Sequence, residues 1–143
     1  MSWDLAFWKP DGKATAEPPA SFQQLIEENE PSGLSWIPVS DIKASFQAIF
    51  PDIKDDGAEL NWEGVGSYFQ VSWPIGSKPQ HTLGVFVSCG WDLLRHATVI
   101  DRIRSVASML GCGVFDPQES RWQPFAEAET GVVGWLKSVW RKR

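Results

Sequence analysis

The chain has 143 residues, of which 43% are hydrophobic and 22% are charged, and its formal net charge is −5. This composition is typical of folded proteins, so we expect residues 1–143 to form a single domain. The negative charge argues against nucleic acid and anionic membranes as partners, and no apolar run in the sequence approaches the length of a membrane-spanning helix. The sequence therefore predicts a cytoplasmic protein.

The first third of the chain predicts a strand followed by two helices. In residues 2–8, Trp3, Leu5 and Phe7 alternate with Asp4, Ala6 and Trp8, and this period of two is typical of a strand. Ser21 and Gln24 have the spacing of a capping box and predict the start of a short helix. Ser40 is the expected N-cap of a second helix, which Pro51 ends.

The middle of the chain predicts three strands and one long helix. Apolar side chains alternate over residues 60–62, 69–73 and 83–87, and the short connections between these segments favour antiparallel pairing. Asp92 is the expected N-cap of the longest helix, and Gly111 is placed to end it.

Two short strands and a final helix are predicted after the long helix. Val114 begins one strand, and the chain returns through Trp122 after a turn. Apolar residues then recur at helical spacing near the C-terminus: Val132, Trp135, Leu136, Val139 and Trp140. The basic end of this segment suits the negative end of its own helix dipole, which favours a helix docked on the core over one that lies on a membrane.

The predicted order is strand, two helices, three strands, helix, two strands and helix. No internal repeat and no long linker interrupts this order. Elements mixed in this way, with antiparallel neighbours, predict an α+β fold. We expect a single antiparallel or mixed sheet, with the helices packed mainly on one of its faces.

Acidic residues are concentrated in the first part of the chain. Residues 1–66 contain twelve Asp and Glu against four Lys, whereas residues 67–143 contain six acidic residues against nine Lys and Arg. An acidic surface attracts basic proteins and accelerates their association. We predict a partner-binding face with two Trp as anchors and eight acidic residues: Trp36, Trp62, Glu27, Glu28, Glu30, Asp52, Asp55, Asp56, Glu59 and Glu63. The alternative is a set of solvated carboxylates that serves solubility alone.

The segment from Asp52 to Glu63 approaches the spacing of a calcium-binding loop. However, Lys54 occupies the third ligand position, and Glu59 stands where such loops have an apolar residue. A solvated acidic turn or an acidic contact surface fits this segment better. We predict neither a metal nor another cofactor.

Support for catalysis in the sequence is weak. Cys89, Asp92 and His96 supply a thiol, a carboxylate and an imidazole, which are the groups that nucleophilic catalysis needs. Their spacing, on a strand end and a following helix, does not bring the three together, so no catalytic residue is predicted. The sequence leaves open whether a disulfide joins Cys89 to Cys112.

Two segments of the chain carry a resemblance to other proteins. Residues 1–8 read MSWDLAFW and residues 111–118 read GCGVFDPQ. They resemble a group of small bacterial proteins that open with M-S-[WY]-D-L-A-x-W and carry G-C-x-[LV]-[FY]-D-P-Q later in the chain. Proteins of this kind are similar to immunity proteins of polymorphic or contact-dependent toxin systems. The resemblance implies a protein that neutralises a cognate toxin by binding it.

Three functional hypotheses follow from these observations. The first is an immunity protein without enzymatic activity, whose acidic face docks beside the active site of a basic toxin. The second is a small hydrolase that uses Glu59 or Glu63 as a general base, which would need that carboxylate to be buried beside a cleft. The third is an adaptor subunit that binds through its C-terminal amphipathic helix.

Overall fold

A seven-stranded antiparallel sheet is the centre of this computed structural model, which describes residues 2–12 and 16–125. Its helices are α1 (Pro18–Ile26), α2 (Val39–Ile49) and α3 (Ala97–Met109), and a 3₁₀ helix spans Trp91–Arg95. The strands are β1 (Ser2–Trp8), β2 (Ile37–Pro38), β3 (Lys54–Asp55), β4 (Leu60–Gly64), β5 (Ser67–Ser72), β6 (His81–Thr82), β7 (Val85–Gly90), β8 (Gly113–Asp116) and β9 (Arg121–Gln123). These elements confirm the predicted α+β class. The predicted C-terminal helix lies outside the described residues.

The first strand lies inside the sheet, and its partners come from the second half of the chain. The strand order is β3-β4-β5-β7-β1-β8-β9, and β2 pairs with β6 in a separate two-stranded sheet. Trp3 is opposite Cys89 on β7, and Phe7 is opposite Val114 on β8. The chain therefore brings its beginning and its last described third together at the centre of the sheet.

The sheet has helices on both faces. Leu5, Phe69 and other buried residues of the first face pack against Phe46 of α2 and Ile103 of α3 in the larger core. The second face is covered in part by α1, whose Leu25 lies in a smaller core. Two of the three helices thus share one face, as the predicted arrangement requires.

Two helices begin at residues other than the predicted ones. The N-cap of α1 is Glu17 rather than Ser21, because Pro18 and Pro19 already have the backbone angle that the first helical turn requires. The N-cap of α2 is Pro38 rather than Ser40, because β2 runs directly into the helix. Neither cap residue forms a side-chain hydrogen bond to the helix.

The long helix also begins later than predicted, and it ends as predicted. A 3₁₀ helix precedes it, and His96 is its N-cap. Asp92 does not cap it, because its carboxylate accepts a hydrogen bond of 2.7 Å from the Ser67 hydroxyl. Gly111, directly after the C-cap residue Leu110, has a φ of +73°, which is the conformation expected of a helix-ending glycine.

Among the residues that the structure describes, no helix is long and apolar enough to cross a membrane.

Candidate partner-binding surface

Five predicted contact residues lie along the β3–β4 side of the sheet, which we call the acidic edge: Asp52, Asp55, Asp56, Glu59 and Glu63. Asp52 belongs to the turn after α2, and the others belong to β3, β4 and the loop between them. β3 is an outermost strand of the sheet, so these residues are at its border. Asp52, Asp55, Asp56 and Glu63 are exposed, and Glu59 is half-buried.

Hydrogen bonds within the loop of residues 56–59 give the acidic edge its local shape. The carboxylate of Asp56 accepts the backbone N–H groups of Ala58 at 3.1 Å and Glu59 at 2.9 Å. Asp55 accepts the N–H of Gly57 at 2.8 Å. The φ of Gly57 is +98°, which glycine adopts without strain. No group of three or more His, Cys, Asp or Glu is placed to hold a metal ion within the described ranges.

Asp55 is the member of the acidic edge that pairs with a cation. Its carboxylate is 3.2 Å from the Lys43 ammonium, which comes from α2. The hydrogen bond from Gly57 and the interaction with Lys43 together lower the pKa of Asp55 below its ordinary value. The same ammonium donates to the Gly57 carbonyl at 3.3 Å and lies 5.9 Å from the centre of the Trp73 ring.

Replacing Lys43 by methionine should reduce stability more at neutral pH than in acid, because only its interaction with Asp55 depends on the ionisation of that carboxylate. The carboxyl of Asp55 has a lower pKa in the folded protein than in the unfolded chain, where the value is 3.8. Its ionised form therefore stabilises the fold above pH 3.8, and this stabilisation is lost as the pH falls through the pKa of the folded protein. Urea unfolding over a pH series that spans this value would test it. Lys54→Met is the control, because Lys54 forms no ion pair with the described residues. A difference between Lys43→Met and the parent that stays constant with pH would contradict this explanation.

Two further carboxylates of the acidic edge are held by side chains of the sheet. Glu59 accepts a hydrogen bond from the Gln70 amide at 2.7 Å and a weaker one from Asn61 at 3.4 Å. Asp52 accepts the indole N–H of Trp62 at 3.2 Å. The positions of these two charges are therefore set by the fold, which reduces the entropy that a partner would have to remove on binding.

The other three predicted acidic residues, Glu27, Glu28 and Glu30, lie at the end of α1 and in the turn that follows. Glu30 accepts hydrogen bonds from the Ser77 N–H at 2.7 Å and hydroxyl at 2.9 Å. Residues of the loop 74–80, to which Ser77 belongs, also line a cavity with Gly57, which lies between Asp56 and Glu59 of the acidic edge. Because this loop lies between the two sets, the eight acidic residues form two groups rather than one continuous face.

The two Trp predicted as anchors serve mainly to pack the fold. Trp62 is only 7% exposed, and its ring stacks on Phe69 at a centroid distance of 5.3 Å. Trp36 is half-buried beside the smaller core, where its ring covers Gly76. Trp62 is therefore too buried to contact a partner extensively. It contacts the acidic edge through its hydrogen bond to Asp52.

A groove that the sequence did not reveal lies between α3 and the β8–β9 hairpin, with a volume of about 480 Å³. Trp91 and Leu94 of the 3₁₀ helix line it and are 53% and 41% exposed. The one signal in the sequence was Leu94, which falls outside the helical spacing of the apolar residues Leu93, Ala97, Ile100 and Ile103.

The cysteines are free thiols in the core. Burial raises the pKa of Cys89 to about 12, and the negative charge of Asp4 acts in the same direction. Burial also raises the pKa of Cys112 to about 12. Both are unpaired, which answers the question of a disulfide. A thiol with such a pKa is protonated at neutral pH and is a poor nucleophile.

The two segments that carry the resemblance lie side by side in the sheet. Ala6 of the first is opposite Phe115 of the second. The Gln118 side chain accepts the Asp4 N–H at 2.7 Å and donates to the Asp4 carbonyl at 2.9 Å. These contacts give the segments a structural role. Comparison of the chain with protein-family models, curated proteins and solved structures found no match.

Proposed function

We propose that the protein is a cytoplasmic immunity protein without enzymatic activity, which neutralises a cognate bacterial toxin by docking the acidic edge on it. The observation that carries this proposal is the concentration of five carboxylates at one edge of the sheet. The cations of the described residues near this edge include Lys43, Lys54 and Arg102, and the guanidinium of Arg102 lies 4.3 Å from the centre of the Phe50 ring. Lys43 is itself bound to Asp55. Such a surface attracts a basic protein over a long range and accelerates its docking.

The neighbouring sheet surface supplies the polar and aromatic groups that a protein interface uses. Glu63 of the acidic edge is opposite Tyr68 on β5, whose side chain is 46% exposed. Asn61, Gln70 and Ser88 follow one another across β4, β5 and β7 on this same face. An exposed Tyr beside fixed hydrogen-bonding groups is a favourable contact for a partner. The group at the end of α1 is a second, separate contact region in this proposal.

Affinity capture from the native cell at low and high salt tests the function directly. We expect a basic protein to be retained at low salt and released at high salt, because salt screens attraction between exposed charges. Capture of no protein at either salt concentration would overturn the proposal. So would a captured partner whose toxicity the protein does not suppress when the two are produced together.

Neutralising the acidic edge should slow association with the captured partner by about tenfold at low salt. The variant carries Asp56→Asn, Glu59→Gln and Glu63→Gln, and association is followed by surface plasmon resonance. The matched control removes three charges from the other group, with Glu27→Gln, Glu28→Gln and Glu30→Gln. We expect the control to slow association less. Equal rates for the two variants and the parent would exclude the acidic edge as the docking surface.

A further inference from the structure

The turn between β4 and β5 carries an exposed apolar side chain. Val65 and Gly66 connect the two strands, and Val65 is 53% exposed. Val65 belongs to neither hydrophobic core. A Cβ atom at Gly66 would have no atom of a non-neighbouring described residue within 4 Å. The tip of this hairpin therefore projects into solvent.

The backbone of Val65 has a conformation that valine rarely adopts. Its φ is +48°, and that of Gly66 is +76°. Positive φ at both central residues is the pattern of a type I′ turn, in which Asn-Gly is a favoured pair. A β-branched side chain crowds the backbone in this region, so valine makes the turn less stable than asparagine would. Neither the turn nor core packing favours valine here, and strain of this kind is typical of recognition sites.

The strands of the hairpin hold Val65 in a fixed position. A Cβ atom at Gly64 would lie 2.5 Å from the Trp62 ring, so this ring packs directly against the backbone before the turn. After the turn, the Ser67 hydroxyl donates a hydrogen bond of 2.7 Å to the Asp92 carboxylate. A partner that contacts a side chain held in this way loses little free energy to the ordering of the chain.

The residues around the turn connect it with the acidic edge. Glu63, two positions before Val65, is the last member of the acidic edge along the chain, and it is opposite Tyr68. Tyr68 is 46% exposed, and a Cβ atom at Gly90 of β7 would lie 2.8 Å from its ring. Exposed apolar groups thus lie beside a carboxylate, at one end of the surface that attracts a basic protein. The complement of this arrangement is an apolar pocket bordered by Lys or Arg.

We propose that Val65 is the anchor side chain of the acidic edge and inserts into an apolar pocket, bordered by basic residues, on the partner protein. This inference rests on the proposed function, and it assigns a task that the carboxylates do not perform. The charges accelerate association, whereas burial of Val65 slows dissociation. Asparagine would suit the turn better, but its amide would be buried in an apolar pocket without hydrogen-bond partners.

Val65→Asn separates the stability of the fold from the stability of the complex. We expect its Tm to rise by about 3 °C, because asparagine relieves the strain of the turn. Dissociation from the basic protein retained in the low-salt capture should become about tenfold faster, because the apolar contact is lost. Association should proceed at the rate of the parent, because no charge changes. Thermal unfolding and surface plasmon resonance measure these quantities.

Met109→Gln is the matched control for the loss of an exposed apolar side chain. Met109 is also 53% exposed. It lines a cavity with Lys9, which follows the last residue of β1, whereas the Tyr68 ring lies against Gly90, which is opposite Ser2 at the start of β1. The two substitutions are therefore at opposite ends of the sheet. Met109→Gln should leave the dissociation rate unchanged.

Three results would overturn this proposal and leave the proposed function in place. One is a dissociation rate for Val65→Asn equal to that of the parent. Another is a Tm for Val65→Asn that does not rise, which would show that valine does not strain the turn. The third is an equal acceleration of dissociation by Met109→Gln. Capture of no protein overturns the proposed function, and this inference with it.

Discussion

Replacing Phe69 by alanine is expected to lower the free energy of unfolding by about 3–5 kcal/mol. The ring is almost completely buried on β5, at the point where the sheet meets α2. Its centroid is 4.9 Å from that of Phe50, 5.3 Å from that of Trp62 and 6.1 Å from that of Phe46. Alanine would leave a cavity among three large rings that cannot collapse into it without moving α2. Urea denaturation followed by Trp fluorescence measures the loss.

The adjacent residue provides a matched control for this prediction. Tyr68 is next to Phe69 on the same strand, but its side chain faces the opposite side of the sheet and is 46% exposed. Tyr68→Ala should cost about 1 kcal/mol, as expected for an exposed aromatic residue. Similar losses for Phe69→Ala and Tyr68→Ala would show that the ring cluster does not have the role assigned to it.

Replacing Gly113 by alanine should lower the free energy of unfolding by about 1–3 kcal/mol. A Cβ atom at this position on β8 would lie 2.5 Å from the Trp122 ring and 2.9 Å from the Gln123 carbonyl oxygen. Trp122 cannot move freely, because its ring stacks on that of Trp8 at a centroid distance of 4.8 Å. The added methyl group would therefore displace β9 or break this stacking.

A double-mutant cycle separates the clash from other effects of the substitution. Trp122→Ala removes the ring, so adding Gly113→Ala to this variant should cost less than it costs in the parent. Part of the loss should remain, because the Gln123 carbonyl is unaffected by the change. Equal costs in the two backgrounds would mean that the Trp122 ring is not the source of the strain. Thermal or urea unfolding of the four chains provides the values.

The elements that the sequence predicted well are those whose side chains repeat with a clear period. Residues 60–62, 69–73 and 83–87 lie largely within β4, β5 and β7, because strands with one buried face show their alternation in the sequence. The two-residue strands β2, β3 and β6 are too short to show any period. They were missed for this reason.

Helix starts were predicted less well, because the predicted cap residue competed with a neighbouring signal in one case and with a distant contact in another. The spacing of Ser21 and Gln24 indicated a cap, but Pro18 and Pro19 begin the helix one turn earlier. The carboxylate of Asp92 was available to cap α3 only if no other donor was near, and Ser67, from a distant strand, supplies one. Contacts between residues far apart in the sequence decided this case.

The arrangement of the acidic residues depended on information that local sequence does not contain. The segment from Asp52 to Glu63 could be recognised as acidic, and it does form one edge. Its relation to Glu27, Glu28 and Glu30 follows from the packing of α1 on the second face of the sheet, beside β1 and β8. The position of β1 between β7 and β8 determines that packing, and no periodicity predicts a strand order.

The central position of β1 also constrains the order of events during synthesis. Asp4 and Gln118, which join β1 to the turn after β8, are 114 positions apart. β1 therefore cannot pair on both sides until β7 and β8 have been translated. Closing such long loops is entropically costly, so proteins with distant pairings fold slowly. Nascent chains of this protein should keep an unpaired apolar strand available to chaperones until β7 and β8 have left the ribosome.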